Sequence, residues 1–333
     1  MAATAKLNES ARGVYIIAAT PFTDVDEVDV DSIDRLVDFY LSCGVDGITA
    51  LGMMGEAHKL TFEESLTVVT RVLGRVDGRV PVVVGVSNAG FGAVAHLSHY
   101  AMDRGAAGVM LAPPAGLRTD DDVYGYFAGA FEALGADVPV CLQDYPQSSG
   151  VYISVSVFLR LVADFPQLVV FKHEDWPGLG KLSRVRDESA ERGLRRVAIL
   201  CGNGGLFFPL ELRRGADGAM TGFAYPEMLV EVYRRFADGD ADGAEDLFDA
   251  YLPLVRYEQQ PGFGLAVRKA LLHRRGVIAS PRARAPGPRL TQRDREELDI
   301  LLKRLDHRLA AERLTAPRAT VSAADNVMEE SGA

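Results

Sequence analysis

The segment Pro81–Val86 reads Pro-Val-Val-Val-Gly-Val, and the segment Leu168–Phe171 reads Leu-Val-Val-Phe. Both are short runs of consecutive apolar, mostly β-branched side chains, and neither alternates apolar with polar residues. Continuous apolar runs are typical of parallel strands that are covered on both faces. These two segments therefore predict a buried parallel sheet in an α/β protein.

Similar runs occur eight times along the chain, and each is followed by a segment with helical spacing of its apolar residues. The predicted strands are Val14–Pro21, Gly47–Gly52, Val80–Val86, Gly108–Ala112, Val138–Gln143, Leu168–Glu174, Val197–Gly202 and Gly218–Gly222. The clearest helices are Asp31–Cys43, Thr61–Arg75, Ala89–Arg104, Asp120–Leu134 and Tyr225–Asp238. Thr61 with Glu64 predicts a capping box at one helix start. Eight β/α units favour a closed (β/α)8 TIM barrel over a doubly wound sheet.

The chain continues beyond the eighth unit with three further segments of helical pattern. These are Ala241–Glu258, Phe263–His273 and Thr291–Arg313, and a Pro/Arg-rich break at Ser280–Arg289 precedes the last one. We expect a catalytic barrel over residues 1–240 and a C-terminal helical extension over 241–313 that packs on it and supports oligomer contacts. Residues 314–333 are small and polar, which predicts a flexible tail.

Composition limits the classes of partner. The 333 residues carry 36 Lys and Arg against 46 Asp and Glu, a formal charge of −10, which argues against nucleic-acid binding. No apolar run approaches membrane-spanning length, and no signal peptide is evident at the N-terminus. Cys43, Cys141 and Cys201 are too widely spaced to suggest a motif and predict reduced thiols in a cytoplasmic protein. His96 and His99 have no nearby third ligand, so no metal site is predicted.

Lys172 interrupts an apolar run near the carboxyl end of the sixth strand, the end at which barrel enzymes place their active sites. Burial disfavours the ammonium form and so favours a nucleophilic amine, which can form a Schiff base with a ketone. Glu174 shares the face of Lys172, roughly 6–7 Å along the strand, where it could orient the amine or carry a proton. The alternative is a strand-end lysine that reaches solvent and pairs with a carboxylate.

The loop Gly52-Met-Met-Gly-Glu56 follows the second strand. Two glycines allow backbone amides to turn toward an anion such as a carboxylate. An ordinary tight turn is the alternative interpretation.

An ordered set of motifs resembles the dihydrodipicolinate synthase / N-acetylneuraminate lyase superfamily of Schiff-base aldolases and dehydratases. The matching segments are Ala18–Asp29, Gly52–Glu64, Val80–Asn88, Leu142–Gly150, Val170–Glu174, Leu200–Gly205 and Gly215–Gly222. The resemblance implies a TIM barrel, a homotetramer or homodimer, and a 2-oxo acid such as pyruvate that forms a Schiff base with Lys172 without a further cofactor. By the same match, the carboxylate of the 2-oxo acid lies on Gly52, Met53, Met54 and Gly55. The other expected substrate contacts are Tyr145, Gly202, Asn203 and Thr221.

Several residues depart from the pattern of the synthase and lyase branches. Met53 and Met54 stand where those branches carry hydroxyl residues, so carboxylate binding would depend more on backbone amides. Gln143 occupies the position of a catalytic tyrosine, and glutamine cannot act as a phenolic acid or base. A further tyrosine is replaced within Pro113–Ala115. Tyr145 and Tyr225 remain open as substitutes, and a role in lysine biosynthesis is not expected.

Gln143-Asp-Tyr-Pro146 together with Phe171-Lys-His-Glu174 resembles the branch that contains 2-keto-3-deoxy-L-arabonate dehydratase. This resemblance implies dehydration of a 2-keto-3-deoxy sugar acid or related 2-oxo acid, with Lys172, Glu174 and Gln143 as catalytic residues. One alternative is a pyruvate-dependent aldolase or hydratase-aldolase, which the apolar Met53, Met54 and Pro113–Ala115 would suit. An alternative of another class is a non-catalytic barrel that binds a 2-oxo acid.

Overall fold

Eight parallel strands close into a barrel in the computed structural model, which describes residues 5–311. The strands are β1 (Gly13–Ile17), β2 (Gly47–Ala50), β3 (Val82–Gly85), β4 (Gly108–Leu111), β5 (Val140–Asp144), β6 (Leu168–His173), β7 (Ala198–Cys201) and β8 (Gly218–Thr221). Each strand pairs with the next one along the chain, and β8 closes the ring on β1. The predicted (β/α)8 barrel with additional C-terminal helices is confirmed.

Helices surround the barrel and continue beyond it. They are α1 (Val30–Ser42), α2 (Phe62–Val76), α3 (Phe91–Met102), α4 (Asp120–Leu134), α5 (Pro146–Ser149), α6 (Val155–Asp164), α7 (Gly178–Glu191), α8 (Phe208–Arg213), α9 (Pro226–Ala237), α10 (Ala241–Glu258), α11 (Gly264–Arg274) and α12 (Gln292–Ala311). The predicted helices begin and end within two residues of these bounds wherever the structure describes them. The capping box of Thr61 and Glu64 is present, with both reciprocal hydrogen bonds formed.

Strand residues divide between the barrel interior and the layer under the helices, because successive side chains point to opposite faces. One buried cluster joins side chains from seven strands and fills the barrel: Tyr15, Ile17, Val83, Met110, Cys141, Val170, Leu200 and Met220. Alternate residues such as Leu142, Phe171 and Ile199 pack against the surrounding helices. This division explains the continuous apolar runs, since both faces of each strand are buried.

The predicted strands are longer than the observed ones, mainly at their carboxyl ends. The first predicted strand, Val14–Pro21, ends at Ile17, and Pro21 has no N–H with which to continue a ladder. The residues beyond the strand ends form the loops at the carboxyl face of the barrel. These loops carry most of the candidate site.

The C-terminal helices pack on the first and last parts of the barrel. Helix α10 lies along α9, and α11 and α12 lie against α10. Their apolar side chains join Val14 of β1 and Ala219 of β8 in one buried cluster. The predicted tail at 314–333 lies outside the described residues. Within residues 5–311 no helix has the length and apolarity needed to cross a bilayer.

Candidate active site

Lys172 lies at the carboxyl end of β6 with its side chain in the barrel interior. It pairs in register with Gln143 of β5 and Leu200 of β7, and it follows the interior residue Val170 by two positions. The whole residue is only 3% exposed, and its Nζ lies 2.9 Å from Glu174 Oε1. The lysine therefore does not reach solvent, although it does pair with a carboxylate. A charge this deeply buried requires a close partner of opposite sign.

The Glu174 carboxylate connects three of the predicted site residues. Gln143 Nε2 donates to Glu174 Oε1 at 2.8 Å, the oxygen that also contacts Lys172. The backbone N–H of Asn203 donates to Glu174 Oε2 at 3.2 Å, and Asn203 Nδ2 donates to the Glu174 carbonyl at 3.0 Å. Strand β5 and the loops after β6 and β7 thus hold one carboxylate beside the amine.

Gly202 allows this arrangement by lacking a side chain. A Cβ atom at this position would overlap the carboxylate and Cγ of Glu174. Asn203, the next residue, has a left-handed backbone with φ of 51°, which aims its N–H at the carboxylate. Gly202 and Asn203, which the sequence predicts as substrate contacts, therefore lie directly against the Glu174 carboxylate.

The loop Gly52–Gly55 lies over the interior of the barrel. A Cβ atom at Gly52 would lie 2.9 Å from Ile17 Cγ2, an interior side chain. Met53–Gly55 form one turn of 3-10 helix, and such a turn leaves its first amides, those of Met53 and Met54, outside its own hydrogen bonds. Met54 packs on the interior cluster.

Met53 is 40% exposed and connects this loop to the loop after β5. The Ser148 hydroxyl lies 3.7 Å from Met53 Sδ. Tyr145, three residues before Ser148, is half-buried near Glu174. Burial, and secondly the negative charge of Glu174, raise the pKa of the Tyr145 phenol, which therefore remains an O–H donor at neutral pH.

Thr221 and Tyr225 do not face the Lys172–Glu174 pair. Thr221 pairs with Ile16 and alternates with the interior residue Met220, so its side chain faces the helical layer and not Lys172. The Tyr225 ring packs against Tyr251 and beneath the Arg275 guanidinium, within the contact between the barrel and the extension. Of the two tyrosines left open by the sequence, only Tyr145 lies near Glu174.

A second group of charged residues, which the sequence did not single out, lies behind the same strand ends. Asp144 Oδ2 accepts from Lys181 Nζ at 2.7 Å and lies 3.4 Å from His173 Nδ1. His173 Nε2 donates to the Gly178 carbonyl at 2.9 Å. Asp144 and His173 each follow an inward catalytic candidate by one position, so strand alternation was the signal that could have found them.

Glu211 of α8 lies close to the same group. Burial raises the pKa of Glu211 to about 7, an effect partly offset by His173 and by a hydrogen bond with the Cys201 thiol. Its Oε2 is buried, and no residue in 5–311 forms a hydrogen bond with it. Cys43, Cys141 and Cys201 are all buried and unpaired by disulfides. Across residues 5–311, no three His, Cys, Asp or Glu side chains are grouped so that they could hold a metal ion.

The fold and site together define an eight-stranded α/β barrel with a buried amine–carboxylate pair at the carboxyl end of its strands. Comparison with known sequences extends this description. The chain belongs to the dihydrodipicolinate synthetase family, whose sequence profile matches residues 10–305.

Individual relatives carry two different enzyme names. The chain is 32% identical over 306 residues to the L-2-keto-3-deoxyarabonate dehydratase of Azospirillum brasilense, covering 89% of this chain and 94% of that protein. It is 28% identical over 270 residues to the 4-hydroxy-tetrahydrodipicolinate synthase of Phocaeicola vulgatus, covering 80% and 88%. A crystal structure described as dihydrodipicolinate synthase from Rhodopseudomonas palustris superposes with a TM-score of 0.88 at 50% identity, covering 90% of this chain and all of that one.

Proposed function

We propose that this protein is a lyase that forms a Schiff base between Lys172 and a 2-oxo acid and dehydrates a 2-keto-3-deoxy sugar acid or a related compound. The observation that carries the proposal is the buried contact of 2.9 Å between Lys172 Nζ and Glu174 Oε1, with Gln143 Nε2 bound to the same oxygen. It supplies a nucleophile, a proton carrier and an amide that binds the acid, all removed from water.

The substrate carboxylate binds at the loop Gly52–Gly55 in this proposal. The amides of Met53 and Met54 supply the donors, since neither methionine side chain can donate a hydrogen bond. Tyr145 and Asn203 contact the remainder of the substrate from the loops after β5 and β7.

The reaction begins when Lys172, as an ammonium, passes one proton to Glu174 and its amine attacks C2 of the 2-oxo acid. The resulting C2 hydroxyl takes that proton from Glu174 and leaves as water, which gives a protonated imine and restores the carboxylate. The imine acidifies C3, so Glu174 accepts a proton from C3. The electron pair of the broken C3–H bond forms the C2–C3 double bond of an enamine. The enamine electrons then form a C3–C4 double bond and expel the C4 hydroxyl, which takes the proton from Glu174 and leaves as water. Hydrolysis of the imine releases the product and regenerates the amine, so one water is lost overall.

The side chain of Gln143 favours dehydration over a condensation reaction between the 2-oxo acid and a second substrate. An amide can hold Glu174 or a substrate hydroxyl, but it cannot exchange protons as a phenol does. The 32% identity to a dehydratase over 89% of the chain agrees with the same assignment.

A second candidate is carbon–carbon bond formation or cleavage with pyruvate as one partner, as in an aldolase, a hydratase-aldolase or a synthase. The observation in its favour is the 50% identity to the Rhodopseudomonas palustris protein described as dihydrodipicolinate synthase. The apolar side chains of Met53 and Met54 would suit an apolar acceptor. Tyr145 would then be the phenol that replaces the tyrosine absent at Gln143.

Trapping the imine tests the proposal. The protein is incubated with pyruvate or with a 2-keto-3-deoxy acid, reduced with borohydride and analysed by intact mass. We expect one adduct per chain, absent in Lys172→Ala. A product that has lost water with its carbon count unchanged supports dehydration, and released or consumed pyruvate supports the second candidate. If no 2-oxo acid gives an adduct, the mechanism is wrong and a non-catalytic binding barrel becomes the better interpretation.

Glu174→Gln assigns the role of the carboxylate. The amide preserves the size of the side chain but cannot accept the C3 proton, so turnover should fall by about 10²- to 10⁴-fold. Adduct formation should change much less. The opposite result, slow adduct formation with fast subsequent turnover, would assign Glu174 an orienting role toward Lys172.

We also propose that the enzyme acts in the cytoplasm as a homotetramer or homodimer and needs no cofactor besides the Schiff base. Light scattering should give two or four times the 36.0 kDa mass of one chain. The residues proposed to contact substrate lie in the barrel at 1–240, and we propose that the extension at 241–313 supports them from outside.

A further inference from the structure

The loop Gly52–Gly55 is bracketed by two residues with a left-handed backbone. Leu51 has φ of 55° and Glu56 has φ of 56°. A residue with a side chain adopts this conformation only at an energetic cost, so surrounding contacts must maintain it. Inside the loop, Gly55 N donates to Gly52 O and Glu56 N donates to Met53 O, both at 3.0 Å. The position of Glu56, whose N–H closes the turn, therefore determines where the amides of Met53 and Met54 lie.

Glu56 is held by residues that lie far away in the sequence. Its carboxylate is fully buried, and Lys269 Nζ of α11, 213 residues later, donates to Oε1 at 2.6 Å. Lys59 Nζ and the Arg284 backbone N–H both donate to Oε2 at 3.0 Å. The C-terminal extension thus contributes two of the three donors to this carboxylate.

Lys269 is itself enclosed. It is fully buried, donates a second hydrogen bond to the Arg282 carbonyl at 2.9 Å and lies 4.3 Å above the Phe22 ring. A buried ion pair adds little net stability compared with apolar side chains of the same volume, but it constrains geometry strongly once formed. We therefore expect Lys269 to fix the position of the Glu56 carboxylate and not to add net stability.

We propose that Lys269 is a positioning residue for the carboxylate of the 2-oxo acid. Through Glu56 it holds the loop Gly52–Gly55 in its strained conformation, so the C-terminal extension completes the substrate site of the barrel. This inference rests on the proposed function, in which that loop receives the carboxylate.

The charge balance around Lys269 adds a pH dependence. Lys269 faces the Glu56 carboxylate and two other cations, Lys59 and Arg284. Burial lowers the pKa of Lys269 to about 8, and Glu56 opposes this effect only in part. As pH rises through 8 the ammonium is lost and its attraction to Glu56 weakens. An arginine at this position stays charged throughout.

The test measures the pyruvate concentration that half-saturates borohydride trapping at Lys172, together with the trapping rate at saturation. Lys269→Met should raise the half-saturating concentration by at least about tenfold and change the saturating rate by less than about threefold. Lys269→Arg should restore most of the affinity. It should also abolish the rise in the half-saturating concentration that we expect of the wild type between pH 7.5 and 9.

Arg275→Met provides a matched control. Arg275 follows α11 directly and pairs with Glu227 of α9 at 2.5 Å, so it joins the same extension to the barrel without touching Glu56. Its loss should reduce stability but leave half-saturation unchanged. If Lys269→Met does not fold, the double variant Glu56→Gln/Lys269→Met removes both buried charges, and Lys59 keeps its hydrogen bond to the Arg284 carbonyl. It should fold and still bind pyruvate weakly.

The possible results distinguish a failure of the proposed role of Lys269 from a failure of the proposed function. Wild-type half-saturation in a folded Lys269→Met or double variant overturns the role of Lys269 and leaves the proposed function intact. An equal loss of affinity in Arg275→Met also overturns it, because general loosening of the extension would then suffice. A wild-type enzyme that forms no adduct overturns the proposed function, and this inference with it.

Discussion

Gly202 is the residue at which the absence of a side chain matters most directly for the proposed chemistry. A methyl group there would occupy the place of the Glu174 carboxylate. We expect Gly202→Ala to displace that carboxylate and to lower turnover at least about tenfold. Gly125→Ala, in an open position on α4, is the control and should leave turnover unchanged while adding about 0.5–1 kcal/mol of stability. Full activity of Gly202→Ala would show that Glu174 works from another position.

Glu211 predicts how stability depends on pH. Its pKa is about 7 in the folded protein against 4.5 as the ordinary value, so between these limits the folded state binds the extra proton. Its contribution to stability therefore decreases as pH rises from about 4.5 to 7. Glu211→Gln removes the ionisation and should stabilise the protein relative to wild type at pH 8 more than at pH 5, by on the order of 3 kcal/mol at most.

Urea unfolding at the two pH values measures this difference. His173, Cys201 and Glu174 act on Glu211 in both conditions and remain in the variant. Glu132→Gln on the exposed face of α4 serves as the control and should show no pH-dependent gain. An equal gain for Glu211→Gln at pH 5 and pH 8 would contradict a raised pKa.

The connection between β6 and α7 is the element that carries Glu174, and Lys181 ties it to β5. Lys181 Nζ lies 2.7 Å from Asp144 Oδ2 and 2.9 Å from Asp175 Oδ2, and Asp144 is fully buried. In Lys181→Met, His173 is the one ion-pair partner that residues 5–311 still offer the Asp144 carboxylate. We expect the free energy of unfolding to fall by about 3 kcal/mol, since a broken buried pair leaves an uncompensated charge.

Arg184→Met on the same helix is the control for this element. Arg184 is 65% exposed at its side chain and pairs with Glu188 one turn away, so its removal should cost less than about 0.5 kcal/mol. Thermal or urea unfolding compares the two variants. Equal losses would indicate that water reaches Asp144 and that the connection is held in another way.

At the scale of the whole molecule, the C-terminal extension divides into a part that contacts Glu56 and a part for which no such contact is seen within residues 5–311. Helix α12 buries Leu298 and Leu305 in the cluster around α10, whereas α11 carries Lys269. Deletion of residues 291–333 should lower the free energy of unfolding by about 4 kcal/mol, from the two leucines. Pyruvate trapping at Lys172 should stay within about threefold of wild type. Loss of trapping in a deletion variant that circular dichroism shows to be folded would mean that α12 also supports the site.

The barrel and its lysine were predictable because each depends on a local pattern. Eight apolar runs between helical segments require two covered faces per strand, and one lysine in such a run is visible without any structure. Asp144 and His173 could in principle have been found from the sequence, because strand alternation assigns them to the outer face. The orientation of Thr221 could not be read from its motif, because the strand register turns its side chain toward the helices.

Local residue patterns specify the eight β/α units, the placement of Lys172 at a strand end and the spacing that brings Glu174 to the same face. Which groups meet at that strand end depends on how the whole chain folds. Closure of the barrel sets Gln143 and Asn203 on Glu174, and chain folding over 213 residues brings Lys269 to Glu56. Periodicity is a property of neighbouring residues, whereas the partner of a buried charge depends on the path of the whole chain, which no local pattern records.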